Sequence, residues 1–261
     1  MTDQRLHLNL IDSSRQLFEL DPRAVVETGD GWVFGAGGPT HPVISNAAFR
    51  SDDSLDAEEF VKQAKAFFAP RGRGFSIWLR GEQPQDRDLL AAAETAGLVQ
   101  VFEMPEMVLG APVEPQPLPS GAEIRKLTSA EQADDYWRIA AAAYASIGFP
   151  PEVFGGYTDH TGLQAENVAA FVTYLDGVPV SIAMTIVSHG VAGIYWVGSL
   201  EQARGKGLGR ATTAAATNAG FELGAELASL QASTMGKPIY EDMGYETVFD
   251  YKLLMSAAPN S

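Results

Sequence analysis

A glycine-rich turn in the second half of the chain constrains the fold more than any other stretch. Residues 204–210 read Arg-Gly-Lys-Gly-Leu-Gly-Arg, between an apolar run at 193–200 and an alanine-rich run at 211–216. The apolar run predicts a buried strand, and the alanine-rich run predicts a helix. Glycines leave backbone N–H groups open to an anion, and a helix N-terminus adds unpaired donors and a positive dipole end. The turn therefore predicts a diphosphate-binding loop; the simplest alternative is a tight turn with solvated cations.

Two other phosphate-binding motifs do not fit this turn. A dinucleotide fingerprint needs a glycine three residues after its second glycine, and three residues after Gly207 the chain has Arg210. A nucleotide P-loop needs Gly-Lys-Ser/Thr, but Lys206 is followed by glycine. The turn is therefore neither a dinucleotide-binding motif nor a nucleotide P-loop, and a different phosphate-containing ligand is favoured.

Turn signals, periodicity and a proline-rich segment divide the chain into two halves. Four prolines fall within residues 110–120, which is typical of a stiff, extended linker. Periodicity and turn residues predict helices and strands in alternation on both sides of this segment. We therefore predict an α/β (α+β) fold of two domains, residues 1–110 and 121–261, joined by a linker at residues 111–120. Each domain is expected to contain a mixed, mostly antiparallel sheet flanked by helices.

Two local predictions concern neighbouring side chains. Thr128 and Glu131 have the spacing of a capping box, which predicts the start of a helix that ends near Ala145. Tyr195 and Trp196 are adjacent on a predicted strand, so their side chains are expected to point to opposite faces of the sheet. Both residues are expected to serve packing rather than chemistry.

The predicted elements repeat in the two halves. Each half runs hairpin, strand, helix, strand, a short helix ended by glycine (Gly97 or Gly244) and a final strand. This repetition indicates duplication, and the alternative is two unrelated α/β units with the same element order. Opposite the glycine turn, residues 51–56 carry three carboxylates, which would repel a diphosphate, and Ala93 stands opposite Tyr240. Only the second copy is therefore expected to bind an anion.

Composition limits the functions that remain. The chain of 261 residues has no cysteine, which excludes disulfides, thiolate metal sites and a cysteine nucleophile, and is typical of a cytoplasmic protein. Its four histidines lack metal-ligand spacing, so no metal site is expected. A net charge of −15 argues against nucleic acid as a partner and favours either a cationic small substrate or only a solvated acidic surface. No apolar stretch approaches the roughly 18 residues of a membrane span, so no membrane partner is expected.

Two motifs together resemble one known family. Arg204-x-x-Gly207-x-Gly209 after a strand is similar to the acyl-CoA pyrophosphate loop of the GNAT superfamily of N-acetyltransferases. About 30 residues later, the stretch 230–245 resembles that family's second conserved stretch. The resemblance covers residues 121–257 by motif and residues 20–110 by element order. The whole resembles a tandem, two-copy member with a degenerate N-terminal copy.

The resemblance also implies roles for individual residues. Tyr240 would protonate the leaving thiolate, since a phenol with a pKa near 10 stays protonated at neutral pH and can donate that proton; the alternative is an aromatic residue packed at a helix end. The cofactor-binding residues implied for the diphosphate, the pantetheine arm and the loop before Tyr240 are Arg204, Gly205, Lys206, Gly207, Leu208, Gly209, Arg210, Val197, Gly198, Ser199 and Ser233. One departure is Glu201, which stands where many members carry proline.

The implied reaction is direct transfer of the acetyl group of acetyl-CoA to a primary amine of a small molecule, in a ternary complex without metal. A non-catalytic, CoA-binding regulatory protein is the alternative. The protein is expected to be a monomer or a homodimer. The candidates for the general base are Glu152, Asp159, His160 and Glu201. The aromatic loop at residues 148–162 is expected either to line the acceptor pocket or to pack on its own domain.

Overall fold

The computed structural model describes residues 2–154, 156–157 and 160–258. The elements of the first half are α1 (Thr2–Glu19), β1 (Val25–Gly29), β2 (Trp32–Ala36), β3 (Asn46–Arg50), α2 (Ala57–Phe68), β4 (Phe75–Leu79), α3 (Arg87–Thr95) and β5 (Val99–Leu109). Those of the second half are β6 (Ala122–Lys126), α4 (Ala130–Ala145), β7 (Val168–Leu175), β8 (Val178–Ser188), β9 (Val191–Ser199), α5 (Leu208–Glu222), β10 (Leu227–Gln231), α6 (Lys237–Asp242) and β11 (Glu246–Ser256).

The predicted mixed α/β fold is confirmed, and both halves contribute to one continuous sheet. Within the described residues, eleven strands are ordered β1-β2-β3-β4-β11-β5-β10-β9-β8-β7-β6. The pairings β3–β4 and β9–β10 are parallel, each connected by a crossover helix, α2 or α5. The other neighbouring strands are antiparallel. The repeated order of helix, hairpin, parallel pair and final strand therefore recurs in three dimensions.

The two halves exchange their last strands. Strand β5 of the first half pairs with β10 of the second, while β11 of the second half pairs with β4 of the first. Strands β5 and β11 pair with each other at the junction, with a bulge where Val248 is inserted opposite Met107 and Glu106. The segment at residues 111–120 connects β5 to β6, and Val113 within it exchanges two backbone hydrogen bonds with the Asn218 amide of α5. The division into domains stays a prediction, and each half completes the sheet of the other.

Helices cover both faces of this sheet. On one face α4 and the end of α1 pack against alternate residues of β7 and β8, among them Val172, Ile182 and Met184. On the opposite face α5 packs against residues of β8 and β9 that point to that side, such as Ala183 and Ala192. Helix α1 belongs to the first half in sequence, yet its Asn9 amide donates hydrogen bonds to backbone carbonyls of β8 and β9. The first half therefore covers part of the sheet of the second.

Local sequence explains where the helices begin and end, with one correction. Asp56 caps α2 by accepting a hydrogen bond from the Glu59 N–H. The predicted capping box at Thr128 and Glu131 is wrong by one residue. Ser129 is the cap and accepts from the Gln132 N–H, while the Gln132 side chain accepts from the Thr128 N–H. The helix still ends at Ala145, as predicted.

Candidate active site

The parallel strands β9 and β10 separate after a short pairing and form a wedge. They pair only between residues 191–193 of β9 and residues 227–229 of β10. Beyond Gly193, β9 continues beside β8 as far as Ser199, whereas β10 continues beside β5 as far as Gln231. The edges of the two strands that face each other across the wedge therefore offer backbone donors and acceptors. An extended ligand can bind such edges as an added strand would.

A β-bulge shapes the β9 side of the wedge. Ile182 pairs with Gly198 and Met184 with Tyr195, so that Trp196 and Val197 lie opposite one residue of β8. Trp196 has a left-handed backbone (φ 48°), which is strained for a large side chain, and its carbonyl accepts a hydrogen bond from the buried Tyr136 hydroxyl. Bulges of this kind are frequent beside active sites, where they redirect side chains.

The bulge overturns one prediction about side-chain direction. Tyr195 and Trp196 were expected on opposite faces, but both pack against the cluster beneath α4. Val197 instead packs on the α5 face, beside Tyr240. The extra residue interrupts the alternation of β9 side chains between the two faces of the sheet. The pattern of apolar residues in the sequence does not show where such a bulge occurs.

The glycine turn lies directly after β9 and begins α5. Gly205 and Gly207 have φ values of 74° and 75°, and a Cβ added to either glycine would meet no atom within 4 Å. Gly207 is the N-cap of α5 without a side-chain cap, so the N–H groups of the first helical turn have no partner within the helix. Both glycines and Lys206 are exposed. The turn is thus open to solvent and presents donors and positive charge.

The two arginines of the turn make contacts that tie it to its surroundings. The Arg204 guanidinium donates to the Ser146 hydroxyl at the end of α4. The Arg210 guanidinium donates to the Asp242 carbonyl, at 3.0 Å, and so connects α5 with α6. Leu208, in contrast, is buried beneath the turn. Of the predicted cofactor residues, these three hold the shape of the turn through their side chains.

The serines among the predicted residues have local partners. The Ser199 hydroxyl at the end of β9 is 2.8 Å from the Ser181 hydroxyl, and it would lie 2.9 Å from a Cβ at Gly209. Glycine at 209 therefore allows the helix to approach the strand end closely. The Ser233 hydroxyl accepts a hydrogen bond from the Gly236 N–H and shapes the loop before α6.

Tyr240 lies on α6, half-buried beside the wedge. Its ring packs on the α5 face and lies 6.1 Å from the Tyr245 ring. Burial raises the pKa of Tyr240 to about 12, so the phenol is protonated at neutral pH. In the part of the chain that the structure describes, its hydroxyl has no hydrogen-bond partner. Tyr240 is therefore an available proton donor.

Buried ion pairs fill the corresponding region of the first half. Arg50 at the end of β3 and Arg80 after β4 are both fully buried. Both guanidiniums donate to Asp86; Arg50 also donates to Asp88, and Arg80 to Asp53 in the loop before α2. These contacts hold the pKa of Asp86 well below its usual range, although burial opposes this shift. The loop of the first half that corresponds to the glycine turn is thus bonded to Arg80, a side chain of the same half.

The aromatic loop packs against the β9 side of the wedge. Phe154 is buried 5.0 Å from the Trp196 ring, and Tyr157 stacks on Trp137. Phe149 instead lies at the junction of the halves, 5.6 Å from His41 and 6.2 Å from Phe102. One part of the loop therefore serves packing, and the part at Phe149 contacts the first half.

The candidate bases have different surroundings. The side chains of Glu152 and Glu201 are exposed, and His160 lies 3.2 Å from Asp134 of α4. Asp159 lies outside the described residues.

Sequence reasoning missed Glu106 on β5, which is fully buried and pairs in register with Gln231 at the end of β10. A carboxylate within an apolar strand was a visible signal, although nothing in the sequence distinguished Glu106 from Glu103 on the same strand.

Neither a membrane-spanning helix nor a metal-ligand cluster is present in the described ranges. No helix there is long and apolar enough to cross a membrane. Histidine, aspartate and glutamate side chains there form no group of three or more that could hold a metal ion.

Comparison with solved structures identifies the fold. A GCN5-related N-acetyltransferase from Kribbella flavida matches with a TM-score of 0.70 at 22% identity, over 98% of this chain and 96% of that one. One from Sphaerobacter thermophilus matches with a TM-score of 0.65 at 14% identity, over 90% and 83% of the two chains. A tandem GNAT protein from the clavulanic acid biosynthesis pathway gives 0.64 at 13% identity, over 92% and 85%. The chain therefore has the GNAT fold, as the sequence motifs predicted.

At these identities the likeness defines the fold. A scan against protein-family models finds no match, and a search of curated proteins finds no relative. The chemistry of this chain has to be argued from its own residues.

Proposed function

We propose that this protein is an N-acetyltransferase that moves the acetyl group of acetyl-CoA to a primary amine of a small molecule. The observation that carries the proposal is the wedge between β9 and β10, which opens beside the glycine turn at the start of α5. The wedge suits an extended pantetheine arm, and the turn suits a diphosphate. Three proteins of the same fold are described as N-acetyltransferases or as a GNAT protein, which supports the same reaction class.

Each cofactor-binding residue has a proposed task. Backbone N–H groups of residues 204–210 bind the diphosphate, helped by the exposed Lys206 and by the α5 dipole. The backbone of residues 197–199 pairs with the pantetheine amides and directs an N–H group to the thioester carbonyl. Ser233 shapes the loop that leads to Tyr240. The open space in front of Gly205 and Gly207 fits a bulky anion.

Tyr240 acts as the general acid in this proposal. Acetyl-CoA supplies an activated acyl group, and the residues around the wedge orient it and stabilise the charge that develops on the carbonyl oxygen. The Tyr240 hydroxyl donates its proton to the departing sulfur. Its pKa of about 12 keeps the phenol protonated until a stronger base than water arrives beside it.

The two halves have different tasks in the same proposal. Residues 121–261 form the acetyl-CoA-binding catalytic domain, and residues 1–110 form a degenerate copy joined to it by residues 111–120. The ion pairs of Arg80 with Asp53 and Asp86 occupy the place where a second diphosphate would bind. We place this reaction in the cytoplasm, because the chain contains no cysteine.

A calorimetric titration with acetyl-CoA and a thiol-release screen test the proposal together. The screen covers amino acids, polyamines, aminoglycosides, aryl amines and peptide N-termini. We expect one acetyl-CoA site per chain and free thiol with at least one class of amine. Binding without thiol release across the whole panel would support a non-catalytic, CoA-binding regulatory protein instead. Absence of binding would reject both functions.

A further inference from the structure

A buried carboxylate from the first half lies one strand away from the wedge, beside β10. Glu106 shares a face of β5 with Met104 and Val108, which pack with α1 on that side of the sheet. It pairs in register with Gln231, two residues beyond the last pairing of β10 with β9. Glu106 therefore lies level with the point where β9 and β10 diverge, on the side of β10 that faces away from β9.

One oxygen of this carboxylate is available to a ligand. The Gln231 amide donates to Oε2 at 2.6 Å, whereas Oε1 is buried and has no hydrogen-bond partner among the described residues. The Ser229 hydroxyl lies beside the same carboxyl group but also lacks a partner in hydrogen-bond geometry. Buried polar atoms in native proteins are normally hydrogen-bonded, so one without a partner needs an explanation, such as a catalytic role or a group that binds there.

Glu106 and Tyr240 lie on opposite faces of the sheet near the same strand end. Tyr240 packs on the α5 face, with Val197, and Glu106 lies on the α1 face. The Ala232 N–H, directly after β10, donates to the Pro105 carbonyl and holds the two strands together at this point. A thioester between β9 and β10 would thus have a proton donor towards one face of the sheet and, one strand away, a carboxylate towards the other face.

We propose that Glu106 accepts the proton that the attacking amine releases, directly or through one water molecule. The proposal rests on the N-acetyltransferase function argued above. The nitrogen forms a bond to the carbonyl carbon while the C–S bond breaks and its electron pair goes to sulfur. The Tyr240 hydroxyl protonates that sulfur, and Glu106 takes the proton from nitrogen. Solvent then returns a proton to the Tyr240 phenolate and removes one from Glu106, so the enzyme is regenerated.

The surroundings of Glu106 decide the pH at which it can act. Burial raises its pKa to about 8, although the neighbouring amide and hydroxyl oppose the shift. The titratable groups that face it are Tyr195 of β9 and Tyr251 of β11, and burial raises the pKa of both. Asp12 and His7 of α1 lie behind these two rings. No cation faces Glu106 among the described residues, so its carboxylate forms only in mildly alkaline solution or beside a cationic amine.

The test is the pH profile of thiol release by the full-length protein with the Glu106→Gln substitution. The assay uses acetyl-CoA with the fastest amine of the screen, or water as the acceptor if no amine reacts. We expect the wild-type kcat to rise with pH to a plateau above about pH 8, and the variant to lose roughly 100-fold in kcat and this rise. The KM for acetyl-CoA should change less than about threefold, because the carboxylate does not contact the CoA moiety.

Two further variants make the result decisive. Glu103→Gln removes an exposed carboxylate from the same strand and should leave kcat and its pH profile unchanged. Glu106→Asp keeps a carboxylate and should recover part of the lost rate. An unchanged kcat in Glu106→Gln, or a lower kcat with the same pH profile, would overturn the assignment. If acetyl-CoA fails to bind the wild-type protein in the titration, the proposed function fails first and this role fails with it.

Discussion

For single residues, the chemistry that we propose depends on side chains whose partners are incomplete. Among the described residues, the Tyr240 hydroxyl and one carboxylate oxygen of Glu106 have no hydrogen-bond partner, whereas each buried arginine of the first half is bonded to two carboxylates. Fully paired charges hold a structure in one arrangement, while an unpaired buried group is available to a ligand. Within the first half itself, the paired Asp86 therefore holds the structure together, whereas Glu106 keeps one oxygen for a ligand in our proposal.

Tyr240→Phe should lower kcat by about 100-fold while the Kd for acetyl-CoA changes by less than about twofold, because the substitution removes only the proton donor. Thiol release and calorimetric titration measure the two quantities. Tyr245→Phe is the matched control, since its ring is 6.1 Å away and its hydroxyl contacts Thr217. Equal rates for Tyr240→Phe and wild type would reject the role of general acid.

Glu106→Gln should also change how stability depends on pH. The pKa of Glu106 is raised to about 8 in the folded protein, so the wild type loses stability as pH rises from about 4.5 to 8. The variant lacks this loss and should be more stable at pH 9 by up to a few kcal/mol, with little difference from the wild type at pH 4.5. Urea denaturation at both pH values measures this, with Glu103→Gln as the control. A pH-independent difference would mean that the carboxyl does not titrate abnormally.

At the scale of elements, the site depends on one strand, one turn and one helix in direct succession. The bulge in β9 changes the direction of its side chains, the two left-handed glycines reverse the chain, and α5 begins immediately. The crossover helix α2 of the first half instead begins with a side-chain cap from Asp56, and a carboxylate of the preceding loop is bonded to Arg80. The same order of elements therefore gives a turn that is open to an anion in only one half.

Gly207→Ala should raise the Kd for acetyl-CoA at least about tenfold. The added Cβ lies in the open space in front of the turn, and the positive φ disfavours alanine by about 1 kcal/mol. Gly224→Ala is the matched control, because Gly224 also has a positive φ and open space but lies at the far end of α5. Both variants should lose similar stability in thermal melts. A similar loss of affinity in both would show that the effect is not local to the turn.

At the scale of the whole molecule, the exchanged last strands make the two halves depend on each other. Strand β10 has β5 as its partner on one side, and β4 has β11. A separated second half would expose the edge of β10 and lose Glu106, and exposed edges promote aggregation. The linker, in contrast, is exposed at residues 114–117.

A cut in this linker should leave the molecule intact. With a protease site inserted between Gln116 and Pro117, we expect the two fragments to elute together in size-exclusion chromatography and to keep acetyl-CoA affinity within about twofold. The reason is that the exchanged strands, and not the linker, hold the halves together. Fragments that separate without denaturant would contradict this arrangement. An uncut sample of the same insertion variant serves as the control.

Local patterns in the chain were enough to predict the order of elements, the glycine turn and the fold. These features are local: periodicity, turn residues and short motifs act over a few neighbouring residues, so they are visible in one chain without coordinates. The roles predicted for residues 204–210 and Tyr240 rest on such local patterns. The capping box at Thr128 was displaced by one residue, because Ser129 offers the same chemistry at the next position.

The choice of neighbouring strands could not be predicted from local patterns and was visible only in the folded molecule. Strand exchange, the limited pairing of β9 with β10 and the bulge at Trp196 all depend on contacts between residues far apart in the chain. Glu106 is the clearest case. Its neighbours in sequence form an ordinary strand, whereas its buried hydrogen-bond partner, Gln231, is 125 positions away. The packing of the whole sheet determines which distant strands pair, so a local sequence pattern cannot predict that pairing.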